Sequence, residues 1–455
     1  MHLIRRTPRG APGRRAIAAG ASALLVIATV IALLIVSHSA QPEALSRASA
    51  AHAQAGRPPV TTAATITSLQ ERLRRFPADT TIEALLGAAY LQRVRETGDP
   101  TYYPKAQAIL ALALKRDPRN LEALVGTGAL ALARHDFRAA LIIGERARAL
   151  NPTVPRIYGI IGDAQIELGM YSAALRTVQM MVDMRPDLSS YSRASYLREL
   201  FGRVPGAISA MRLAVDAGGP NTENTQWTRV QLGQLYFNTG NLAAAERQYR
   251  QTLAQLPDSA PALAGLAQVR AAQGRYAAAI DLYTRAIQRL PLPQYVIALG
   301  DVYAAKGDHQ EAQQQYGLVR AIDTLLTANG VNTDLETALF FADHGIDLPA
   351  SLRKARAAYA ARQSIHTADG LAWTLYKTGH YREAAPYAAQ ALRLGTRDAV
   401  KLFHAGMIAK ALGQDARAHA YLRQVLGLNP RFSLVYSPVA ITTLKALDHQ
   451  TKGKR

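Results

Sequence analysis

The residues that could carry out catalysis are scattered along the chain. The 455 residues include 11 histidines and no cysteine, which excludes thiol nucleophiles, thiolate zinc sites, iron–sulfur clusters and disulfides. Asp163, Glu167 and Asp301 could act in acid–base chemistry, but solvation at a surface is the more ordinary role of such carboxylates. No HExxH, GxSxG or GxxxxGK motif is present. The sequence therefore predicts no catalytic, metal or cofactor site, and we expect the chain not to be an enzyme.

The chain is strongly basic. Lysine and arginine outnumber aspartate and glutamate by 53 to 33, a formal net charge of +20. Such a surface can bind an acidic partner, anionic lipid headgroups or an anionic envelope polymer. A compositional bias toward arginine, with the basic side chains solvated at the surface, is the simpler explanation of this charge. Nucleic acid is not expected, because no base-reading motif is present and the chain is expected outside the cytoplasm.

An uncharged apolar run at residues 16–36 predicts a transmembrane helix. Its 21 residues would span roughly 30 Å, the hydrocarbon thickness of a bilayer. Five arginines precede it and the next basic residue is Arg47. The positive-inside rule therefore predicts residues 1–15 in the cytoplasm and the rest on the extracytoplasmic side of the plasma (inner) membrane. The alternative is a cleaved signal peptide and a secreted protein, but the apolar region of such a peptide is usually shorter.

Residues 37–65 are predicted to form a flexible linker. The stretch is rich in small and polar residues and has no apolar periodicity, so it cannot bury enough surface to order itself.

A repeat of about 34 residues occupies most of the remaining chain. Glycines recur at spacings of 33, 38, 34, 33, 38, 34 and 34 residues, and an alanine follows each of them five residues later. The glycines are Gly169, Gly202, Gly240, Gly274, Gly307, Gly345, Gly379 and Gly413. Apolar residues at helical spacing flank each glycine, which can end a helix in the left-handed conformation. Each unit is thus predicted to be a pair of helices, and pairs with an open apolar face must stack into an array.

This pattern resembles the tetratricopeptide repeat. The small, aromatic and proline positions of that unit are occupied, for example, by Gly233, Tyr236, Gly240, Ala245, Tyr249 and Pro257. The resemblance implies an all-α, right-handed superhelical solenoid of about ten helix-turn-helix units at 80–432. The apolar run at 16–36 predicts one transmembrane helix before it. A helix at 66–79 is expected to lead into the array, and residues 433–455 to cap it and form a tail. Two units are irregular: Gly218-Gly219-Pro220 ends one, and the helix containing Tyr316 is expected to be extended.

The resemblance also implies a binding surface, because the first helix of each unit lines a concave groove in this family. The candidate partner-binding residues in this groove are Arg156, Asp163, Glu167, Tyr196, Trp227, Gln234, Asn238, Asp301, Trp373 and Lys377. Aromatic side chains flanked by amides suit the recognition of a protein or peptide segment.

The function favoured by these patterns is a non-catalytic protein–protein interaction scaffold that presents its groove on the extracytoplasmic side of a membrane. Two alternatives stay open: an accessory subunit of an envelope assembly or secretion complex, and an enzyme that contains the repeats. The enzyme is disfavoured because no stretch of about 100 residues lies outside the repeats to form a catalytic domain.

Overall fold

The computed structural model describes residues 61–219 and 222–452, and every regular element in this part of the chain is an α-helix. The predicted all-α class is confirmed. The described helices, in chain order, are α1 Thr62–Arg75, α2 Thr80–Thr97, α3 Tyr102–Arg116, α4 Leu121–Ala133, α5 Phe137–Leu150, α6 Pro155–Glu167, α7 Tyr171–Met184, α8 Leu188–Leu200, α9 Val204–Asp216, α10 Glu223–Asn238, α11 Leu242–Gln255, α12 Ala260–Ala272, α13 Tyr276–Arg289, α14 Pro293–Lys306, α15 His309–Ala328, α16 Asp334–His344, α17 Leu348–Ala361, α18 Ile365–Lys377, α19 Tyr381–Ala391, α20 Ala399–Ala411, α21 Asp415–Leu428 and α22 Tyr436–Lys452.

Helices α2 to α21 pack in pairs as ten hairpins, numbered 1 to 10 from α2–α3 to α20–α21. Helix α1 packs on α2, and α22 packs on α21. Helix α1 begins at Thr62, so the last residues of the predicted linker are helical. Residues 1–60, which include the predicted membrane span at 16–36, lie outside the described part of the chain, as do Pro220, Asn221 and residues 453–455. Among the described helices, none is both long enough and apolar enough to cross a membrane.

Small residues let consecutive hairpins approach closely. The fully buried ring of Tyr249 in α11 lies between Gly233 of α10 and Gly265 of α12. A Cβ atom would lie 2.5 Å from the Tyr249 ring at Gly233 and 2.4 Å at Gly265, so only glycine fits at either position. The repeating small and aromatic positions therefore hold one hairpin against the next.

Left-handed residues connect the two helices of most hairpins. Gly240 has a φ of 76°, a conformation that costs glycine little. At the equivalent position of hairpin 2 the chain has His135, with a φ of 61°. The His135 Nδ1 atom lies 2.8 Å from the Asn332 carbonyl oxygen, a contact that a glycine could not make.

The array closes on itself along what we call the seam, in which the turns of hairpins 1 to 5 lie against the loops that follow hairpins 6 to 10. The facing pairs are Gly98 with Leu290, His135 with Asn332, Gly169 with Gln363, Gly202 with Gly395 and Gly240 with Leu428. Four hydrogen bonds along the seam join residues 192 to 197 positions apart in sequence. Five hairpins therefore form one turn of the superhelix, and the next five form a second turn on top of it.

The step from hairpin 7 to hairpin 8 differs from the others. Helix α15 has 20 residues and is extended, as predicted. Helices α15 and α16 meet mainly through large side chains, with 4.2 Å between the ring centroids of Tyr316 and His344. The added length of α15 carries Asp323, whose Oδ1 atom accepts hydrogen bonds from the Thr333 and Thr337 hydroxyls. These bonds order the loop that meets His135, so the irregular unit helps to close the seam.

Candidate functional site

A cavity of about 900 Å³ lies on the concave side of the superhelix, and we call it the groove. One wall consists of equivalent faces of four first helices, where residues three, four or seven positions apart share a face. These residues are Trp227, Gln231 and Gln234 of α10, Pro261, Gly265 and Gln268 of α12, Gln294, Ala298 and Asp301 of α14, and Leu339, Phe340 and Asp343 of α16. The wall combines amides with apolar surface.

The C-terminal end of α2 lines the groove from the first superhelical turn. Arg93 and Arg95 belong to this side, and Gln92 donates a hydrogen bond from Nε2 to Glu223 Oε2 at 3.3 Å. Burial lowers the pKa of Arg95 to about 10, while the nearby Glu223 and Glu96 oppose this shift. Hairpins 1 and 5 thus build one site although 131 residues separate Gln92 from Glu223.

The segment 429–435 between α21 and α22, here the connector, forms a third side of the groove. Its buried first residue, Asn429, donates a hydrogen bond from Nδ2 to the Phe237 carbonyl oxygen of hairpin 5 at 2.8 Å. The connector residues Arg431, Phe432, Ser433 and Leu434 line the groove. Just after the connector, the Tyr436 hydroxyl donates a hydrogen bond to Asp343 of hairpin 8.

The candidate residues Asp163 and Glu167 are buried, which corrects their expected exposure on a groove. Asp163 is 1% exposed and forms an ion pair with Arg193, with 2.8 Å between Asp163 Oδ2 and Arg193 Nη2. Glu167 forms an ion pair with Arg362 of hairpin 8, across the seam. Burial raises the pKa of the Glu167 carboxyl, and Arg362 opposes that shift. Glu167 faces protein because Arg362 of the second superhelical turn covers it, whereas Asp163 is buried against Arg193 of the neighbouring hairpin.

Tyr196 and Asp301 are also buried, contrary to the expectation of an exposed surface. The Tyr196 hydroxyl lies 3.0 Å from His366 Nε2, across the seam. Burial, with Lys401 adding to it, holds the pKa of His366 well below its ordinary value. Asp301 borders the groove but accepts a hydrogen bond from the Tyr316 hydroxyl at 2.8 Å and lies 2.9 Å from His344 Nε2. Tyr196 and Asp301 therefore connect helices within the protein instead of facing a partner.

Trp373 is an interior residue rather than an exposed anchor. It is 2% exposed, donates a hydrogen bond from Nε1 to Asp343 Oδ1 at 2.7 Å, and stacks on His404 with 4.0 Å between ring centroids. Lys377 is half-buried beside it, with Nζ 5.6 Å from the Trp373 ring centroid. Burial lowers the pKa of Lys377. Trp373 is buried because its ring packs against His404 of α20 and Tyr436 of α22.

The remaining candidates keep some exposure. Trp227 and Gln234 line the groove. Asn238, at the end of the same helix, is exposed and donates a hydrogen bond from Nδ2 to Glu199 Oε1 at 3.1 Å. Arg156 forms an ion pair with Glu122 and is not among the residues that line the groove. Of the ten candidates, the structure brings Trp227, Gln234 and Asp301 together in one site.

Several groove residues escaped the sequence interpretation. Gln231 could have been found because it shares a face of α10 with Trp227. Gln268 could have been found because it shares a face of α12 with the small residue Gly265. Arg95 and Leu434 carry no such signal, because their part in the groove depends on the seam and on the path of the connector.

The lining of the groove combines hydrogen-bonding groups with apolar surface. Glutamine amides can donate to and accept from a peptide backbone, and Trp227 and Phe432 offer apolar surface. Within residues 61–219 and 222–452, no three His, Asp or Glu side chains are grouped in a way that could hold a metal ion.

Three stretches of the chain match family models described as tetratricopeptide repeat, at residues 230–292, 364–397 and 402–432. The predicted resemblance is confirmed for these stretches, and the chain contains tetratricopeptide repeats. Proteins with such repeats generally act as scaffolds for protein interactions. No curated protein matches the sequence.

Several solved structures are similar to the chain. One is the APC/C hetero-tetramer Cut9-Hcn1, with 17% identity, a TM-score of 0.38 and coverage of 84% of this chain and 81% of that one. Another is TTC0263, a thermophilic tetratricopeptide repeat protein of Thermus thermophilus, with 23% identity, a TM-score of 0.37 and coverage of 40% and 99%. A third is human IFIT1, solved as a dimer with PPP-AAAA, with 13% identity, a TM-score of 0.45 and coverage of 88% and 93%.

Proposed function

We propose that the protein is a non-catalytic scaffold that holds a peptide segment of a partner protein in the groove. The observation that carries the proposal is the aligned stripe of Gln231, Gln234 and Gln268 beside Trp227, on the wall of a cavity of about 900 Å³. Neighbouring amides can pair with successive peptide groups, while the aromatic ring contacts a side chain. A volume of this size accommodates a few residues of a bound segment.

The test uses a substitution that fills the groove. Gln231 is half-buried on the groove wall, and Gln231→Trp places a large ring in the space that the ligand would occupy. The matched control is Gln288→Trp, which changes an exposed glutamine of α13 that is not part of the groove lining. Crosslinking in the native membrane, followed by partner identification, should recover a partner with the wild type and the control but lose it with Gln231→Trp. Equal recovery with both variants would refute the proposal.

The membrane location is a further part of the proposal. It is supported by the uncharged run at 16–36 and by the five arginines before it. Added protease should digest the repeats at the surface of cells whose outer barrier is permeabilised, while residues 1–15 stay protected. A mature N-terminus near residue 40 would instead indicate a cleaved signal peptide and a secreted protein.

A second candidate function is an accessory subunit of an envelope assembly or secretion complex. It is favoured by Leu112, Met180 and Leu213, exposed apolar residues that each lie six positions after the buried alanine of their unit. They occupy the same repeat position of α3, α7 and α9, although α5 carries Arg146 there, and exposed apolar side chains grouped on one face are typical of interaction sites. Met180→Glu combined with Leu213→Glu should release the chain from such a complex in native gels and leave groove binding unchanged.

A further inference from the structure

The connector crosses the groove that the proposed function assigns to a partner. Asn429 is held by hairpin 5 and Tyr436 by hairpin 8, so both ends of the connector are fixed. Between them the chain turns, since the Arg431 amide donates to Asn429 Oδ1 at 2.9 Å and the Val435 amide donates to Ser433 Oγ at 3.2 Å. A segment of this chain therefore borders the space where a ligand would bind and contacts two of its walls.

The two apolar residues of the connector make different contacts. Phe432 is buried and packs on Phe403 of hairpin 10, with 5.8 Å between ring centroids. Leu434 is only half-buried and packs on the opposite wall, against the apolar cluster built by α12, α13 and α14. Phe432 thus anchors the connector to its own hairpin, while the Leu434 contact reaches across the groove.

The Leu434 contact overlaps the proposed binding surface. Ala264, Tyr295 and Ala298 are part of the groove lining and also belong to the cluster, or pack on the cluster, that Leu434 contacts. The amides of Gln268 and Gln294 lie on the same two helices, α12 and α14. The surface formed by α12 and α14 therefore accepts an aliphatic side chain. The Gln268 and Gln294 amides beside it can form hydrogen bonds with a peptide backbone.

We infer that Leu434 is an internal competitor, and that the partner is a peptide segment whose aliphatic side chain takes the place of Leu434 on α12 and α14. The inference rests on the proposed function and specifies its ligand. Only the side of the connector that carries Leu434 has to move, because Phe432 keeps its own packing. Leu434 is only half-buried, so removing the competitor should strengthen binding about three- to tenfold.

The probe is a labelled peptide with the sequence of residues 429–436, Asn-Pro-Arg-Phe-Ser-Leu-Val-Tyr. We expect it to bind the Leu434→Ser full-length chain about three- to tenfold more tightly than the wild type, as measured by fluorescence anisotropy. The same peptide with its leucine replaced by serine should lose this gain. Equal binding to the two proteins, no binding to either, or equal binding of the two peptides would overturn the inference.

A labelling experiment reports directly on the position of the connector, and its result does not depend on a change in the stability of the protein. The chain has no cysteine, so Leu434→Cys introduces a single thiol. Saturating peptide should raise its rate of modification by a maleimide to that of Leu318→Cys, a control at an exposed leucine of α15. An unchanged or slower rate would show that the connector stays in place. If Gln231→Trp abolishes partner capture while the peptide leaves this rate unchanged, the inference fails and the proposed function stands.

Discussion

The inner faces of hairpins 3 and 4 and those of hairpins 5 to 7 derive from the same unit but have different roles. In hairpins 3 and 4, Asp163, Glu167 and Tyr196 are buried and meet Arg193, Arg362 and His366. In hairpins 5 to 7, Gln234 and Gln268 line an open cavity. Arg362 and His366 of the second superhelical turn cover Glu167 and Tyr196 in the first region, whereas the glutamines of the second region stay accessible. A position within the repeat therefore does not specify a binding residue until the stacking of the turns is known.

The two tryptophans give the sharpest version of this comparison and the largest expected effect. Trp373→Ala removes a buried, stacked ring, so we expect the free energy of unfolding to fall by about 3–5 kcal/mol. Trp227→Ala, at the groove, should cost about 1 kcal/mol or less and weaken partner binding instead. Urea denaturation followed by circular dichroism measures the difference. Similar losses of stability for the two variants would contradict the contrast between the regions.

The ion pair between Glu167 and Arg362 tests whether the seam stabilises the buried region. Arg362→Met leaves the Glu167 carboxylate buried without a partner, which should cost about 3 kcal/mol. The control Arg356→Met breaks an exposed pair with Glu383 and should cost less than about 1 kcal/mol. If the two variants unfold at the same urea concentration, the seam pair contributes no more than a surface pair.

The close approach of the two turns predicts a difference between glycines with the same backbone conformation. Gly202 and Gly413 have φ values of 68° and 73°, so alanine is strained at both, by about 1 kcal/mol. A Cβ at Gly202 would also lie 2.2 Å from the Gly395 carbonyl oxygen, whereas nothing lies within 4 Å at Gly413. We expect Gly202→Ala to lose about 2 kcal/mol more than Gly413→Ala. Small-angle scattering should show a larger radius of gyration only for Gly202→Ala, and equal radii would argue against a closed superhelix.

The smallest effect per unit of the changed variable is expected for pH. Burial raises the pKa of Glu199 to about 7, although the hydrogen bond from Asn238 opposes the shift. The folded state then holds this proton more tightly than the unfolded state, so stability should fall as pH rises from about 5 to about 7. The slope cannot exceed about 1.4 kcal/mol per pH unit for one proton. Urea titrations should show this slope in the wild type but a flatter profile for Glu199→Gln, and the same slope in both would exclude Glu199 as its source.

The part of the site that could be predicted from the sequence follows from spacing along single helices. Trp227 and Gln234 lie seven positions apart and share a face of α10, so both line the groove as expected. Asp163 occupies an inner face by the same logic but is covered. Arg95 and Leu434 enter the groove only through contacts between distant hairpins, which no local pattern reports.

The sequence by itself determined the helix pairs, because apolar periodicity, a glycine at the turn and small residues at the interface act within one unit or between neighbours. The tertiary structure alone decided that five hairpins complete a turn and that the turn of hairpin 5 meets the loop after hairpin 10. That closure depends on the small rotation of each hairpin relative to the one before it, which side-chain packing sets. These rotations add over five hairpins, and the long helix α15 alters one of them. The groove, the buried ion pairs and the place of Leu434 all follow from this sum.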